Sequence, residues 1–283
     1  MSKIIEAPEI AKQHGMTRLV FEDDFESLDT IDLEATGKEG FKWYVRRPYK
    51  ATTITPEDFT IEDSILKLHE HNSLYNYGLA TVDGRNGVGF TFNKGVLEFR
   101  VRVPHYDQEM RSYNLPGGGG PAVWSFPREK IYEYPGNFAP QWVETDWMEY
   151  WGDLNLFPEG HYSITLHESI RAKDENGVVI ENERAQSHSL GSQRHQHGFH
   201  DALWHTMTFL WEDDLLVGYF DDKEVLRMNY GEDKLCDPKP VVKIGDPEAK
   251  GAFSFMNKQE LALIISGSLC NPMEIDWIRV WQK

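Results

Sequence analysis

The chain is predicted to be all-β, a sandwich or barrel, from three observations. Short segments alternate apolar and polar residues with period two; turn pairs such as Asp83-Gly84 and Asn86-Gly87 fall between them at the spacing of antiparallel meanders; and helical periodicity is scarce beyond the first dozen residues, with only a trace at Glu57 to Phe59. The 283 residues would fit two average domains, yet a large β-sandwich reaches this length as one. No Pro- or Ser-rich linker and no internal repeat divides the chain, so residues 17–283 are expected to form one domain, with residues 1–16 as a lead-in segment.

Taken in order, the strand segments are Ile65 to His69, Val96 to Val103, Thr206 to Trp211, Leu215 to Phe220 and Ile275 to Trp281. Further turns are expected at Asn93-Lys94-Gly95, Asn176-Gly177 and Asp221-Asp222-Lys223. The polar stretch Glu168 to Gly198 reads as a hairpin with its tip near Asn176-Gly177, and as the lid or variable loop. The run Gly117 to Gly120, followed by Pro121, reads as a loop beside a site rather than a domain hinge.

Composition excludes several functions. With 29 Lys plus Arg against 46 Asp plus Glu, the formal charge of −17 repels the phosphates of nucleic acids and anionic lipid headgroups, so neither nucleic acid nor membrane is an expected partner. Hydrophobic residues, at 40%, suffice for a full core. The two cysteines, Cys236 and Cys270, cannot build a disulfide framework or a four-cysteine zinc site; they read as buried thiols or at most one bridge. The longest apolar run, Leu261 to Ile265, is too short to span a bilayer, and the first sixteen residues lack the apolar stretch of a secretory signal, which leaves the compartment open. Aromatic content is 13%, with nine Trp, and flat apolar faces suit either a large core or stacking on sugar rings.

The most informative segment is Gln141-Trp142-Val143-Glu144-Thr145-Asp146-Trp147-Met148-Glu149-Tyr150-Trp151. On a strand, Glu144 and Asp146 share one face while Val143, Thr145 and Trp147 share the other. Simple alternation would turn Glu149 to the wrong side, but a β-bulge at Trp147-Met148 returns it to the face of Glu144, with Trp142 and Trp151 flanking the acids by the same parity. Like charges held close in a partly dry groove push at least one carboxyl toward its protonated form. One ionised and one protonated carboxyl about 5 to 5.5 Å apart are what retaining glycoside hydrolysis needs, with Glu144 and Glu149 as candidates. A solvated acidic strand face and a calcium site remain open readings of the same spacing, although flanking indoles disfavour a hard cation.

At these residues the chain resembles glycoside hydrolase family 16, the jelly-roll endo-glycanases whose bulged branch reads Glu-x-Asp-x-x-Glu and includes laminarinases and marine galactanases; Glu144-Thr145-Asp146-Trp147-Met148-Glu149 matches it. Phe21-Glu22-Asp23-Asp24-Phe25, Gly95 to Arg102, Gly120-Pro121-Ala122-Val123-Trp124, Trp204-His205-Thr206 with Phe209-Leu210-Trp211, and Glu274 to Trp281 match further family segments in order. The resemblance implies a β-jelly-roll sandwich of two antiparallel sheets with a concave substrate cleft. It implies Glu144 as nucleophile, Asp146 as its assistant and Glu149 as acid/base, with His167, from the strand Ile164-Thr165-Leu166-His167, near the nucleophile. Trp124 would line the sugar groove, and by parity so would Trp142 and Trp151. Gly120 in place of the Trp before Pro-Ala, Trp147 in place of an aliphatic residue, and Ser266 where an Asn is common depart from the pattern and bear on groove shape.

No cofactor is required by this chemistry. The resemblance implies a structural calcium on the convex face, with Asp276 at the position that contributes a side chain; a solvated Asp is the plain alternative. His188, His195, His197, His200 and His205 crowd together, and His195-Gln196-His197 resembles a metal pair, but nothing anchors a third zinc ligand. The expectation is a retaining endo-hydrolase, acting as a monomer on an internal β-linkage of a polysaccharide and secreted or at the cell surface. The acidic charge favours β-1,3- or mixed-linkage glucan, with Arg46-Arg47 as the counter-signal for a sulfated chain. The alternatives are an endo-β-galactanase of agarase or carrageenase type and a noncatalytic carbohydrate-binding jelly roll.

Overall fold

A computed structural model describes residues 5–46, 58–68, 77–104, 121–128, 141–151, 161–170, 172–173, 179–180, 186–189, 198–199, 201–229, 259–267 and 273–283. A short helix, α1 (Glu9–Gln13), leads into β1 (Arg18–Asp23), a 3-10 turn, and the two-residue strands β2 (Ile31–Asp32) and β3 (Trp43–Tyr44). Next come β4 (Phe59–Glu62), β5 (Ile65–Leu68), β6 (Tyr77–Ala80), β7 (Gly95–Arg102), β8 (Ala122–Pro127), β9 (Gln141–Trp151) and β10 (His161–Ile170). The small strands β11 (Ala172–Lys173), β12 (Val179–Ile180) and β13 (Gln186–Ser189) precede β14 (His205–Trp211), β15 (Leu215–Phe220), β16 (Lys223–Asn229), β17 (Leu261–Gly267) and β18 (Met273–Gln282).

Sixteen of these strands form two eight-stranded sheets, and β11 and β12 pair on their own. One runs β16-β15-β14-β7-β18-β5-β4 with β1 also on β18; the other runs β13-β10-β9-β8-β17-β6-β3-β2. Every pairing but one is antiparallel: β2 and β3 run parallel, with Ile31 opposite Trp43. Alternation explains the layers. In β7, Leu97, Phe99 and Val101 enter the core between the sheets, while Glu98, Arg100 and Arg102 are only partly buried on the other face. In β17, Leu261, Leu263 and Ile265 join that core, and Ala262 and Ile264, buried as well, join small clusters on the opposite face. A strand buried on both faces reads as a continuous apolar run, which is why Leu261 to Ile265 carried no alternation.

The chain between Ile170 and β13 contains the β11–β12 antiparallel pair, as expected of a hairpin, and β13 returns to pair with β10. Its tip at Asn176-Gly177, the Gly117 to Gly120 run, both cysteines and His195, His197 and His200 lie outside the described residues. The trace of helix at Glu57 to Phe59 holds at Asp58, which is in a 3-10 turn, and is corrected at Phe59, which opens β4 opposite Leu68 because Phe59 and Ile61 supply strand-spaced apolar contacts to the core; Glu57 lies outside the described residues. Residues 5–16 are more than a lead. Ala7, Ala11 and Met16 pack on Val96, Leu210, Val217 and Trp281, covering part of the outer face of the first sheet. Among the described residues no helix is long and apolar enough to cross a membrane.

Candidate active site

The expected bulge is present in β9. On the β8 side, Val123 faces Met148 and Trp124 faces Asp146, leaving Trp147 unmatched; on the β10 side, Ser163 faces Glu149 and Thr165 faces Asp146, so Ile164 alone spans Trp147 and Met148. Burial follows from that extra residue. Val143, Thr145, Trp147, Met148 and Tyr150 are fully buried, whereas Glu144 and Glu149 are partly exposed and Asp146 is 8% exposed. The three acids therefore occupy the face turned away from the core.

Core packing fixes the kink. The Trp147 indole donates to Ser125 Oγ at 2.6 Å and meets the rings of Phe92, Phe209 and Trp211 at 6.4, 5.3 and 6.2 Å between centroids. A Trp at this position is thus a core anchor bridging the two sheets. At the start of the strand the Val143 N–H donates to the buried Gln259 side chain at 2.9 Å.

Strand register lays out the face in rows. One row reads Thr165, Asp146, Trp124, Ile264, Ala80 and Tyr44, each the cross-strand partner of the next. The row beside it reads Ser163, Glu149, Ala122, Ser266 and Gly78. Ser163 Oγ sits 3.5 Å from Glu149 Oε2 as a donor, and His167 lies opposite Glu144 in the β9–β10 ladder. Trp124 packs with Ala80, Ala122, Phe126 and Ile264, and its ring meets Phe126 edge-on. Trp142 and Trp151 pair with Ser169 and His161; their side chains, like that of His167, lie outside the described residues. The structure thus brings Glu144, Asp146, Glu149 and Trp124 together. Ser163, Thr165 and Phe126 complete the face without having been singled out for it, although strand parity from His167 and from Trp124 already pointed to them, and Ser266, noted as a departure from the family pattern, joins them.

Asp276 stands apart. It lies on β18 in the other sheet, where its carboxylate is ion-paired with Arg100, as Glu274 is with Arg102. Among the described residues no three His, Cys, Asp or Glu side chains converge to hold a metal ion, and the acids of β9 form no such group. His205, counted with the histidine cluster, is a clamp in this structure: Nε2 meets Asp201 at 3.0 Å and Nδ1 meets Asp221 at 2.6 Å. Burial of the ring pulls its pKa down, but hydrogen bonds to Asp201 and Asp221 outweigh burial and hold it above the ordinary value. On the same sheet, burial pushes Glu98 up to about 7 despite the nearby Arg279.

No family model and no curated protein matches the chain. Among solved structures it is similar to the laminarinase from Flavobacterium sp. UMI-01, at 15% identity over 94% of this chain and 100% of that one, with a TM-score of 0.51. A structure from work on endo-acting O-glycanases of the human gut microbiota that initiate mucin breakdown matches at 19% identity, 94% and 100% coverage and a TM-score of 0.50. SCLam, a non-specific endo-β-1,3(4)-glucanase from family GH16, matches at 18% identity, 94% and 91% coverage and a TM-score of 0.48. At such identities the likeness to the first two establishes the fold, the two-sheet jelly roll that the sequence led one to expect.

Proposed function

We propose that this chain is a retaining endo-glycoside hydrolase of the family 16 type, cleaving internal linkages of a β-1,3- or mixed-linkage β-glucan. The observation that carries the proposal is the β9 bulge, which sets Glu144, Asp146 and Glu149 on one face beside Trp124. In this reading Glu144 attacks the anomeric carbon as the glycosidic bond breaks, and Glu149 gives its proton to the departing oxygen. Glu149 then takes a proton from water, which displaces Glu144 and regenerates both carboxyls. Asp146, between them, assists the nucleophile. The exposed part of Trp124 would line the sugar groove with an apolar contact, with Trp142, Trp151 and His167 as further lining.

A neutral glucan suits a chain of net charge −17 better than a sulfated galactan. The basic counter-signal is weakened at Arg46, whose guanidinium is 3.8 Å from the buried Asp83 carboxylate and donates to the Ala35 carbonyl. The mechanism needs no metal, and calcium at Asp276 would have to displace Arg100. A polymer too large to enter a cell places a monomeric enzyme outside it or on its surface.

Reducing-end release from laminarin, lichenan and agarose by the wild type and by Glu144→Gln tests the reading. Release from the two glucans, lost at least about 10³-fold in the variant, is expected. Release from agarose alone would point to the galactanase, and polysaccharide binding without release to the noncatalytic module.

A further inference from the structure

Trp124 is held from an unexpected side. Its Nε1–H donates to Ser266 Oγ on the neighbouring strand β17 at 2.8 Å, and Ser266 is fully buried, so no solvent stands ready to replace that acceptor. Phe126 holds the ring from a second direction, edge-on at 5.9 Å. Across β17, a Cβ at Gly78 would lie 2.9 Å from Ser266 Oγ and 2.1 Å from the Ile265 carbonyl oxygen, so glycine there keeps the hydroxyl's space clear. An indole has a single donor. With that donor engaged at the ring's edge, the 8% of Trp124 left exposed can offer a glycan only an apolar surface.

We propose that Ser266 is a positioning residue: its hydroxyl fixes the Trp124 indole so that the small part of it left exposed serves as an apolar platform against which a sugar ring packs beside Asp146 and Glu149. The proposal rests on the glycan-binding reading of this face. Its consequence is specific. A platform that contacts the ring equally before and during bond cleavage lowers KM and leaves kcat alone. It also selects sugars by the apolar C–H face they present rather than by one hydroxyl.

The test is a double-mutant cycle of Ser266→Ala with Trp124→Phe in the full chain, read by KM and kcat on laminarin and by retardation in laminarin-containing native gels. Ser266→Ala should raise KM, and weaken gel retardation, about two- to tenfold with kcat within about twofold. In the Trp124→Phe background, which has no indole N–H, the same substitution should change neither. Equal changes in both backgrounds, unchanged KM in the single variant, or a fall in kcat alone would overturn the assignment. Melting temperature is followed in parallel, and if Ser266→Ala does not fold, the near-isosteric Ser266→Cys, a weaker acceptor, should show a smaller KM rise with the same dependence on Trp124. If the wild type binds but does not cut, gel retardation still decides the role of Ser266; if it neither binds nor cuts, the glycan reading and this proposal both fall.

Discussion

Both ring nitrogens of His205 face carboxylates, and only the imidazolium can donate to Asp201 and Asp221 at once. Asp221 also accepts from the Thr206 N–H and Asp201 from the Leu203 N–H, so the ring ties the start of β14 to the β15–β16 turn. The aromatic rings of Phe199 and Phe220 pack against it, and Tyr162 of β10 packs against both. Because the folded pKa is raised, this contribution to stability is complete below the unfolded value of about 6.5 and is lost as pH rises through the higher folded value. Glu98, pushed up to about 7 by burial, destabilises the fold progressively from about pH 4.5 upward, in a lower window. Thermal melts of the wild type should therefore fall in midpoint above pH 6.5, and His205→Gln should flatten that upper part of the profile while leaving the lower part; a variant that tracks the wild type would show the clamp to be idle. At this scale the acids were legible because a single bulge between Asp146 and Glu149 is enough to bring all three onto one face. The Trp124–Ser266 bond was not, because it joins residues 142 positions apart and depends on which strands neighbour each other.

At the scale of the element, β9 is where sequence and chemistry meet. One inserted residue turns Glu149 outward and lets Trp147 and Met148 both enter the core. Inserting one alanine between Met148 and Glu149 should shift the residues that follow by one position, driving Glu149 toward the apolar interior and swinging Tyr150 out of it. A buried unpaired carboxylate and a lost core ring together cost several kcal/mol, so a lower melting midpoint and at least about 10³-fold lower glucan release are expected. Full activity in the insertion variant, measured by reducing ends, would separate the kink from the chemistry. Strands that alternate in sequence, such as β7 and β14, showed themselves by that period, although Met207 to Trp211 of β14 are buried on both faces. The two-residue strands β2 and β3 and the doubly buried β8 and β17 did not, since the first are too short for a period and the second have none. The helix α1 was legible only as a weak signal, because five residues need the sheet beneath Ala11 and Met16 to hold them.

For the whole molecule, the second sheet carries the proposed work and the first supports it. The acids on β9 sit between β10 and β8, and their row continues in register through Trp124 to Ile264, Ala80 and Tyr44, but those last three are buried, so a glycan would meet this face at β9, where Glu144 and Glu149 are partly exposed. The order of the sheets follows from long-range pairing that no local pattern encodes, which is why the resemblance of ordered segments, not periodicity, suggested the jelly roll. The central claim is double displacement by Glu144 and Glu149, and proton NMR of the first product released from laminarin tests it most directly. The newly formed reducing end should appear first as the β-anomer, with the α-anomer growing in only by mutarotation; initial appearance of the α-anomer would contradict the assignment of Glu144 as nucleophile.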